Sequence, residues 1–483
     1  MLCETNYIDA DFQSLSSCWY SKSFKQLPNL YCRVHFAKEE LTQQTILDNQ
    51  FQDESYLGYT VLTPLNTGRV GRTVVRPWSC NVEFQGGRCL PLVLSAPSPV
   101  HVYGRRLFGR GAPYTSQDAM VIVCAQASIW MALNYMHFRY SRYGLKRVLP
   151  DEITKAATEN LRWAGRLLPS GGLTAEHIAN ALSNLGYTPI VDTRREDAYN
   201  WNPLNWILKY IDSDIPVIVA LWRPPHAIVV VGALLGCNNY SIIEPEERIA
   251  SLDSWIGGLI VNDDNLGPYK IMPCKEDHLT QLAPHYSDLL PLPNTWKSLD
   301  DISALFVPLP QEVSIQARHI DVVLKEQVFR LSAQNKILSR LIEQADEHAR
   351  PALYRFLLTL LGHVDNDRIV TRSYLIRSME YLKSINSKGQ YPEAIRSFYK
   401  KQQFPTYIWV SELYLQSDVQ TQSISDRLAY GEVILDATAN RFDPSWLFVH
   451  VGGSVLHRNV STEEIGHFAA DNIGPYRTWK CDL

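Results

Sequence analysis

The sequence has no pair of cysteines at Cys-x-x-Cys spacing, although it contains nine cysteines. Zinc ribbons and dithiol redox sites depend on that short spacing, so neither class of site is expected. The odd number of cysteines also disfavours a complete disulfide framework. These features indicate a reducing, cytoplasmic setting.

Long apolar runs are missing as well. None approaches the roughly 18 residues that a membrane span needs, and the N-terminus has no basic leader followed by an apolar segment. The sequence also lacks a G-x-G-x-x-G or Walker-type phosphate loop, and Asp365-Asn366-Asp367 lacks the glycine and distal glutamate of a calcium loop. We therefore expect no membrane association, no cofactor and no bound metal.

The chain also lacks a strong net charge of either sign. The chain has 46 basic and 50 acidic residues and a net charge of -4, so nothing in the overall charge predicts binding to nucleic acid. Its 483 residues include 46% hydrophobic and 11% aromatic side chains. This composition is typical of a soluble globular protein, and the length suggests roughly two or three domains.

Changes in sequence pattern divide the chain into three regions and predict an α+β fold. Residues 1–110 form a β-rich extension, residues 111–310 place helices before a series of strands, and residues 311–483 form an accessory region that is helical and then β-stranded. The clearest predicted strands are a hairpin over 57–77 and segments 89–94, 100–103, 217–222, 227–233, 240–243, 259–262, 406–415, 431–435 and 446–451. The clearest predicted helices are 125–138, with one buried face, and 174–185, 320–345, 352–361 and 373–385. Prolines at 284, 291, 293, 308 and 310 predict an irregular exit from the central region, and the run at 103–110 predicts a solvated loop.

Cys124 stands between the apolar run Val121 to Val123 and the predicted helix 125–138. A thiol becomes a nucleophile at neutral pH when a helix N-terminus or a nearby imidazolium favours its thiolate. Cys124 has the right position for the first of these effects. The same position is also compatible with a buried cysteine that acts as a small hydrophobic residue.

His226 is the histidine whose position best suits the second effect. It follows two prolines that end the strand 217–222, and it precedes AIVVVG, the strongest strand signal in the chain. A histidine at the start of a strand can project into a cleft and act as a general base. A structural histidine in a loop remains the alternative.

Asp263 ends the next long hydrophobic strand, and it could accept the imidazole N-H and orient the ring. Asp264 and Asn265 follow directly, so the orienting residue is one of these three. The run Asp-Asp-Asn-Leu-Gly also predicts a turn without any catalytic role. Gln117, seven residues before Cys124, could direct its amide N-H at an oxyanion, and Gln126 competes for that role although it should lie inside the helix.

The order of these motifs resembles the papain-like cysteine peptidases, and most closely their bacteriocin-leader-peptidase-like branch, over about residues 111–275. The segments that carry the resemblance are Gln117, Cys124 with its helix, GGLTAEHIANALSNLGY, IPVIVALW, HAIVVVGALL and IVNDDNLGPY.

The resemblance implies a cysteine helix packed on an antiparallel sheet that carries the histidine and the aspartate. It implies Cys124 as nucleophile, His226 as general base and acid, Asp263 as orienting residue and Gln117 as oxyanion donor. Two features depart from the family pattern and bear on the oxyanion hole. Ala125 stands where the family commonly has glycine, and the glutamine lies further from the cysteine than usual.

The sequence therefore favours a cysteine peptidase or isopeptidase with a peptide or protein substrate and no cofactor. A papain-like acyltransferase or amide-forming enzyme would use the same residues, because an amine can replace water in resolving the thioester. A third alternative is a binding module that kept the scaffold and lost the chemistry. The C-terminal region is a candidate surface for a protein partner.

Overall fold

The computed structural model describes residues 1–24, 27–28, 30–66, 69–79, 82–84, 87–140, 143–159, 170–194, 201–235, 249–274, 299–333, 335–345, 347–348, 350–364, 367–387, 391–421, 427–440, 445–459, 464–470 and 477–478. Within these residues the fold is mixed α+β and its sheets are mainly antiparallel. The coarse fold class expected from the sequence is therefore confirmed. The predicted strand over 240–243 lies outside the described residues.

The first region is rich in strands. Its elements are β1 (Leu2–Tyr7), α1 (Ala10–Cys18), β2 (Tyr31–Ala37), α2 (Gln43–Leu47), β3 (Tyr56–Leu62), β4 (Val70–Val75), β5 (Val82–Phe84), β6 (Gly87–Val93), β7 (Ala96–Val102) and β8 (Arg105–Gly111). Strands β1 to β4 form one antiparallel sheet in that order, and β7 pairs with β8. The predicted hairpin over 57–77 is present as β3 and β4.

The prediction of a solvated loop at 103–110 is wrong, because most of this run belongs to β8. Leu107, Gly109 and Gly111 are buried and alternate with exposed residues. That alternation is the period of a half-buried strand. Two of the three inward positions are glycines, so the hydrophobic signal of the strand is weak in the sequence.

The central region supplies helices first and strands later. Its elements are α3 (Cys124–Tyr140), α4 (Pro150–Thr158), α5 (Ala175–Asn184), β9 (Thr188–Thr193), α6 (Pro203–Ile211), β10 (Val217–Trp222), β11 (Pro225–Leu235), β12 (Ile249–Ser251), β13 (Ile256–Asp263), β14 (Gly267–Pro273) and β15 (Ile302–Leu309). The central sheet has the strand order β14-β13-β11-β10-β15-β9, and β6 from the first region pairs with the second half of β11.

Of the prolines expected to mark an irregular exit, Pro284, Pro291 and Pro293 lie outside the described residues, and Pro308 does not mark irregular chain. Pro308 belongs to β15, which lies between β10 and β9 in the sheet. It stands directly opposite Pro189, so the two missing N-H donors fall at the same position of the ladder. A single proline usually argues against a central strand, because it cannot donate a hydrogen bond to the ladder. Two prolines that face each other are compatible with the strand.

Helix α3 is buried on all sides rather than on one face. Every residue from Ala125 to Met136 is buried. The helix packs against β11 and β10 on the central sheet, and also against β7 and α4. A helix enclosed in this way has no solvent-facing stripe, so the predicted single buried face is wrong. The helix that begins at Cys124 is consequently held rigidly from several directions.

The first region is joined to the central helices by buried charges. Asp11 of α1 accepts a hydrogen bond from Arg147 at 2.5 Å and another from the indole of Trp130 in α3 at 3.4 Å. Because separating such partners would leave charges buried without compensation, these contacts fix the first region against the helix that carries Cys124.

The C-terminal region contains the remaining elements. They are α7 (Ala317–Ala333), α8 (Asn335–Ala345), α9 (Pro351–Leu361), β16 (Ile369–Arg377), α10 (Ser378–Ser387), α11 (Glu393–Lys400), β17 (Tyr407–Leu415), α12 (Gln416–Thr421), β18 (Leu428–Ala429), β19 (Gly431–Asp436), β20 (Trp446–Val451), β21 (Ser454–Arg458), β22 (Ile465–Ala469) and β23 (Arg477–Thr478). The main sheet has the order β12-β16-β17-β19-β20-β21-β22, and β12, from the central region, is parallel to β16.

Two helix predictions in this region need correction. The helix over 373–385 starts only at Ser378, because Ser373 to Arg377 belong to β16. These residues are paired along their whole length with β17, and tertiary pairing overrides local helix propensity. The long helix over 320–345 is described as α7 and α8, and residue 334 between them lies outside the described residues.

The cysteines of the described residues differ in state. Cys89 is disulfide-bonded, whereas Cys3, Cys18, Cys32 and Cys124 are free thiols. A disulfide does not fit the reducing setting expected from the sequence. In the described part of the chain, none of the helices has the length and apolarity needed to cross a bilayer.

Candidate functional site

Cys124 is the first residue of α3, and its side chain is partly exposed although the residues that follow are buried. The first backbone N-H groups of a helix have no partner within the helix and carry partial positive charge. A thiolate on Cys124 would be stabilised by this helix end. The position of the cysteine at the helix start therefore agrees with the arrangement expected from the sequence.

The loop before Cys124 is shaped by Asp118, a buried residue that the sequence did not single out. Its Oδ1 accepts three backbone hydrogen bonds, from Met120 and Val121 at 2.8 Å and from Ile122 at 2.9 Å. The phenol of Tyr20, in the first region, hydrogen-bonds to the same carboxylate. Aspartate is common in turns because its carboxylate accepts hydrogen bonds from the next few backbone N-H groups. This turn preference was the only signal that the sequence offered for Asp118.

His226 is the second residue of β11, immediately after the tight connection from β10. Its imidazole makes a hydrogen-bonding contact with the side chain of Cys124. The side chain is largely buried, with 11% of its surface exposed. The structure thus brings the predicted nucleophile and the predicted base together at one edge of the central sheet.

Asp263 is the last residue of β13, the strand that neighbours β11. Its Oδ1 lies 3.2 Å from Nε2 of His226. The same oxygen accepts the backbone N-H of Asn265 at 2.8 Å and of Leu266 at 3.2 Å. The turn suggested by the sequence is therefore present, and its backbone bonds fix the carboxylate in place beside the imidazole.

The surroundings of His226 favour its protonated form. Burial by itself lowers the pKa of the imidazole. The contacts with Asp263 and Cys124, together with the negative charges of Asp263 and Asp264, outweigh burial and raise the pKa of His226 to about 10. An imidazolium beside Cys124 at neutral pH is the second condition that favours a thiolate.

Asp264 is a second carboxylate at the imidazole. Its Oδ1 lies 3.4 Å from Nε2 of His226, and its side chain is completely buried. Neither carboxylate oxygen has a hydrogen-bond partner among the described residues. Burial, and then the charge of Asp263, raise the pKa of Asp264 to about 7 although His226 opposes this rise. Two carboxylates therefore face one imidazole, and they differ in how firmly each is held.

Gln117 lies beside the acidic turn, half-buried, and its amide nitrogen donates a hydrogen bond to Oδ1 of Asn265. The side chain of Asn265 is therefore engaged with Gln117, whereas Asp263 and Asp264 face His226. The alternative glutamine, Gln126, is buried inside α3 and donates to the Ser170 hydroxyl at 2.7 Å. The role of Gln117 as oxyanion donor remains a prediction.

His226, Asp263 and Asp264 also have the composition of a cation site. One ligand atom from each of them lies within 4.8 Å of the others. Imidazole and carboxylate ligands suit zinc and manganese among the common divalent ions. A cation on Nε2 would replace the proton that the raised pKa holds on the ring, so sensitivity to chelators distinguishes the two arrangements.

Comparisons of the chain with protein-family models, with curated protein sequences and with solved structures give no match. No family is therefore assigned, and function is inferred from the geometry around Cys124, His226 and Asp263.

Proposed function

We propose that the protein is a cysteine hydrolase of the papain-like type that cleaves a peptide or isopeptide bond. The observation that carries this proposal is the position of His226, whose ring contacts the side chain of Cys124 and lies 3.2 Å from Asp263. A nucleophile, a base and an orienting carboxylate in contact form the arrangement that acyl transfer requires. Cys124 also begins a helix, which favours its thiolate.

In the acylation step, the Cys124 thiolate attacks the carbonyl carbon of the substrate and forms a tetrahedral oxyanion. Backbone N-H groups at the start of α3 are the first candidates to stabilise that oxygen, with the Gln117 amide as a further donor. The intermediate collapses when the C–N bond breaks. The His226 imidazolium gives its proton to the departing amine, and a thioester on Cys124 remains.

In the deacylation step, water attacks the thioester while neutral His226 accepts its proton. The second tetrahedral intermediate releases the carboxylic acid and restores the thiolate and imidazolium. Asp263 stabilises the imidazolium and helps to hold the orientation of its ring. An amine in place of water would give acyl transfer by the same steps.

The first test is selective alkylation of the full-length protein with iodoacetamide, followed by time-resolved peptide mass spectrometry. Cys18 is the internal reference, because burial first, and then the nearby carboxylates, raise the pKa of its thiol to about 11. We expect Cys124 to react faster than Cys18 by roughly a hundredfold or more at neutral pH, since thiolate character controls reactivity. Similar rates at the two cysteines would refute the proposal.

The second test separates hydrolysis from its alternatives. An activated thioester substrate is incubated with and without an amine acceptor, in the presence and absence of EDTA. Hydrolysis that persists in EDTA and dominates over transfer supports the proposal. Faster transfer than hydrolysis would assign an acyltransferase, and loss of activity in EDTA that is restored by a divalent metal would assign His226 and the two aspartates to a cation site instead.

A further inference from the structure

A cavity of about 560 Å³ lies at the opposite end of α3 from Cys124. It is bounded by the end of α3, the chain after α6, the end of β16 and the first turns of α10. Tyr140, the last residue of α3, contributes to its wall. At about 1.5 Å per residue, the helix separates Tyr140 from Cys124 by about 24 Å. The cavity is therefore distinct from the proposed catalytic centre.

The volume of this cavity lies within the roughly 300–1,000 Å³ that is typical of pockets for small organic ligands. Its inner wall contains two ion pairs. Arg139 contacts Asp214 at 2.6 Å, and the buried Arg372 contacts Asp212 at 3.1 Å. Because these charges already have partners, they give the wall a fixed polar structure and are not available to bind a charged ligand strongly.

Arg377 is the arginine of the cavity wall that these ion pairs leave available to bind an anionic ligand. Its guanidinium carbon lies 3.6 Å from the ring centre of Tyr143 and 4.9 Å from that of Tyr407. Its Nε donates a hydrogen bond to the Tyr407 hydroxyl at 3.0 Å. No carboxylate within the described ranges forms an ion pair with Arg377. The two tyrosines hold the guanidinium in one plane and leave its terminal N-H groups to bind another group.

A second cation, Lys383 of α10, also lines the cavity. It is exposed, and within the part of the chain that the structure describes it has no ion-pair or hydrogen-bond partner. Two acidic residues besides Asp212 and Asp214 line the cavity as well. Glu380 accepts a hydrogen bond from Tyr143 at 2.8 Å, whereas Glu312 is exposed. Glu380 is thus already engaged, whereas Glu312 lies near enough to Tyr407 to add, after burial, to the rise in the pKa of that phenol.

The rest of the wall is mixed, with Ser213, Gln311 and Ser384 beside apolar and aromatic side chains. Its apolar and aromatic residues include Leu92, Met136, Leu145, Tyr187, Ile211 and Ile376. The hydroxyl of Tyr187 has no hydrogen-bond partner among the residues described. The cavity therefore combines apolar and aromatic surface with two cations that form no ion pair among the described residues, which matches a ligand that has an apolar body and an anionic head.

We infer that this cavity is a binding site for an amphipathic organic anion. The anionic group, a carboxylate or a phosphate monoester, binds the guanidinium of Arg377 through two hydrogen bonds and is also attracted by Lys383. The apolar body lies against Met136, Leu145 and Tyr187. This site is independent of the proposed hydrolase activity.

The test is binding of anilinonaphthalene sulfonate, a fluorescent amphipathic anion, to the full-length protein. Four competitors share an apolar chain and differ in their head group: decanoate, decyl phosphate, decylammonium and decanol. We expect the two anions to displace the probe at concentrations at least about tenfold below those of decylammonium and decanol. The stronger of the two anions identifies the preferred head group. Equal displacement by decylammonium would overturn the proposal.

Variants of cavity residues test whether the anion binds at this cavity. Arg377→Ala is expected to weaken decanoate or decyl phosphate binding by about tenfold or more, and Arg377→Lys by less, because lysine keeps the charge but loses the planar fork. Lys383→Ala, on an exposed position, tests the same site without risk to folding and is expected to weaken binding severalfold. Arg106→Ala, at an exposed arginine of the β7–β8 hairpin, is the matched control. Unchanged anion binding in both Arg377→Ala and Lys383→Ala would refute the proposal, whereas unchanged binding in Cys124→Ala supports its independence from the catalytic site.

Discussion

The central sheet and the C-terminal sheet each bury a histidine beside a carboxylate, but the surroundings differ. In the central sheet, Nε2 of His226 lies 3.2 Å from Oδ1 of Asp263. In the C-terminal sheet, Nδ1 of His450 lies 3.5 Å from Oε1 of Glu432. Both pairs join neighbouring strands, and both histidines are largely buried. Residue type and burial alone therefore do not distinguish the two pairs.

The hydrogen-bond partners do distinguish them. Glu432 is saturated by hydroxyl donors, which are Tyr381 at 2.6 Å, Tyr391 at 3.2 Å and Tyr399 at 3.2 Å. The second nitrogen of His450 contacts the carbonyl oxygen of Gly452 at 2.7 Å. His226 contacts a thiol instead, and its neighbour Asp264 has no hydrogen-bond partner among the described residues. A buried histidine pair that is fully satisfied supports the fold, whereas one that contacts a nucleophile can support chemistry.

The largest predicted effect compares the two histidines directly. His226→Ala is expected to lower the rate of substrate turnover by roughly 10²- to 10⁴-fold, because it removes the general base and acid. His450→Ala is the matched control and is expected to leave turnover at Cys124 nearly unchanged once differences in folded fraction are corrected. Kinetics with the thioester substrate and circular dichroism check both variants. Equal losses in the two variants would remove the distinction between the sites.

A smaller effect separates the two carboxylates at His226. Asp263→Asn is expected to lower turnover by roughly tenfold to a hundredfold, because this carboxylate is fixed by backbone bonds and orients the ring. Asp264→Asn is expected to cost less, because a pKa raised to about 7 leaves Asp264 partly neutral at physiological pH. Steady-state kinetics of both variants provide the measurement. A greater loss in Asp264→Asn would make Asp264 the orienting residue.

In the C-terminal sheet, the expected effect is on stability. Glu432→Ala leaves three buried tyrosine hydroxyls without their acceptor and is expected to lower the free energy of unfolding by about 3 kcal/mol. Tyr391→Phe removes one of the three donors and is expected to cost about 1 kcal/mol. Urea denaturation measures both, and the alkylation rate of Cys124 should not change. A slower reaction at Cys124 would link the two sheets functionally.

The last predicted effect is a pH dependence of stability. The pKa of Asp264 is raised in the folded protein from about 3.9 in an unfolded chain to about 7. The folded state therefore binds the proton more tightly, so the contribution of Asp264 to stability is fully present below pH ~4 and is lost as the pH rises through about 7. Asp264→Asn should be more stable than the wild type at pH ~8, and this difference should shrink at pH ~5. Denaturation midpoints at the two pH values check this, and an equal difference at both would contradict the assigned shift.

Much of the candidate site was visible in the sequence because its residues stand at the ends of elements. Cys124 begins a helix, His226 begins a strand and Asp263 ends one, and each end is marked by an apolar run or by proline. Asp118 gave no comparable signal. Its importance depends on three backbone N-H groups that meet one oxygen only when the loop has folded.

The fold was predictable where hydrophobic periodicity was strong, and it was missed where that signal was weak. Strands such as β10 and β20 have the predicted bounds, because their apolar runs are continuous. Strand β8 was missed because glycines occupy two of its inward positions, and β15 was missed because Pro308 predicts the end of a strand although in the fold it stands opposite Pro189. The domain boundaries at 110 and 310 remain predictions, although β6 and β12 each pair with a strand from a neighbouring region.

The sequence by itself determined the order of Cys124, His226 and Asp263 and the local elements that present them, because periodicity and chain breakers act over short distances. The tertiary structure alone decided which carboxylates reach the imidazole and that Asp264 lacks a hydrogen-bond partner among the described residues. It also decided that Arg377 lies between two tyrosines at the far end of α3. Burial and partner choice depend on which faces meet after folding, and residues distant in the chain supply those faces.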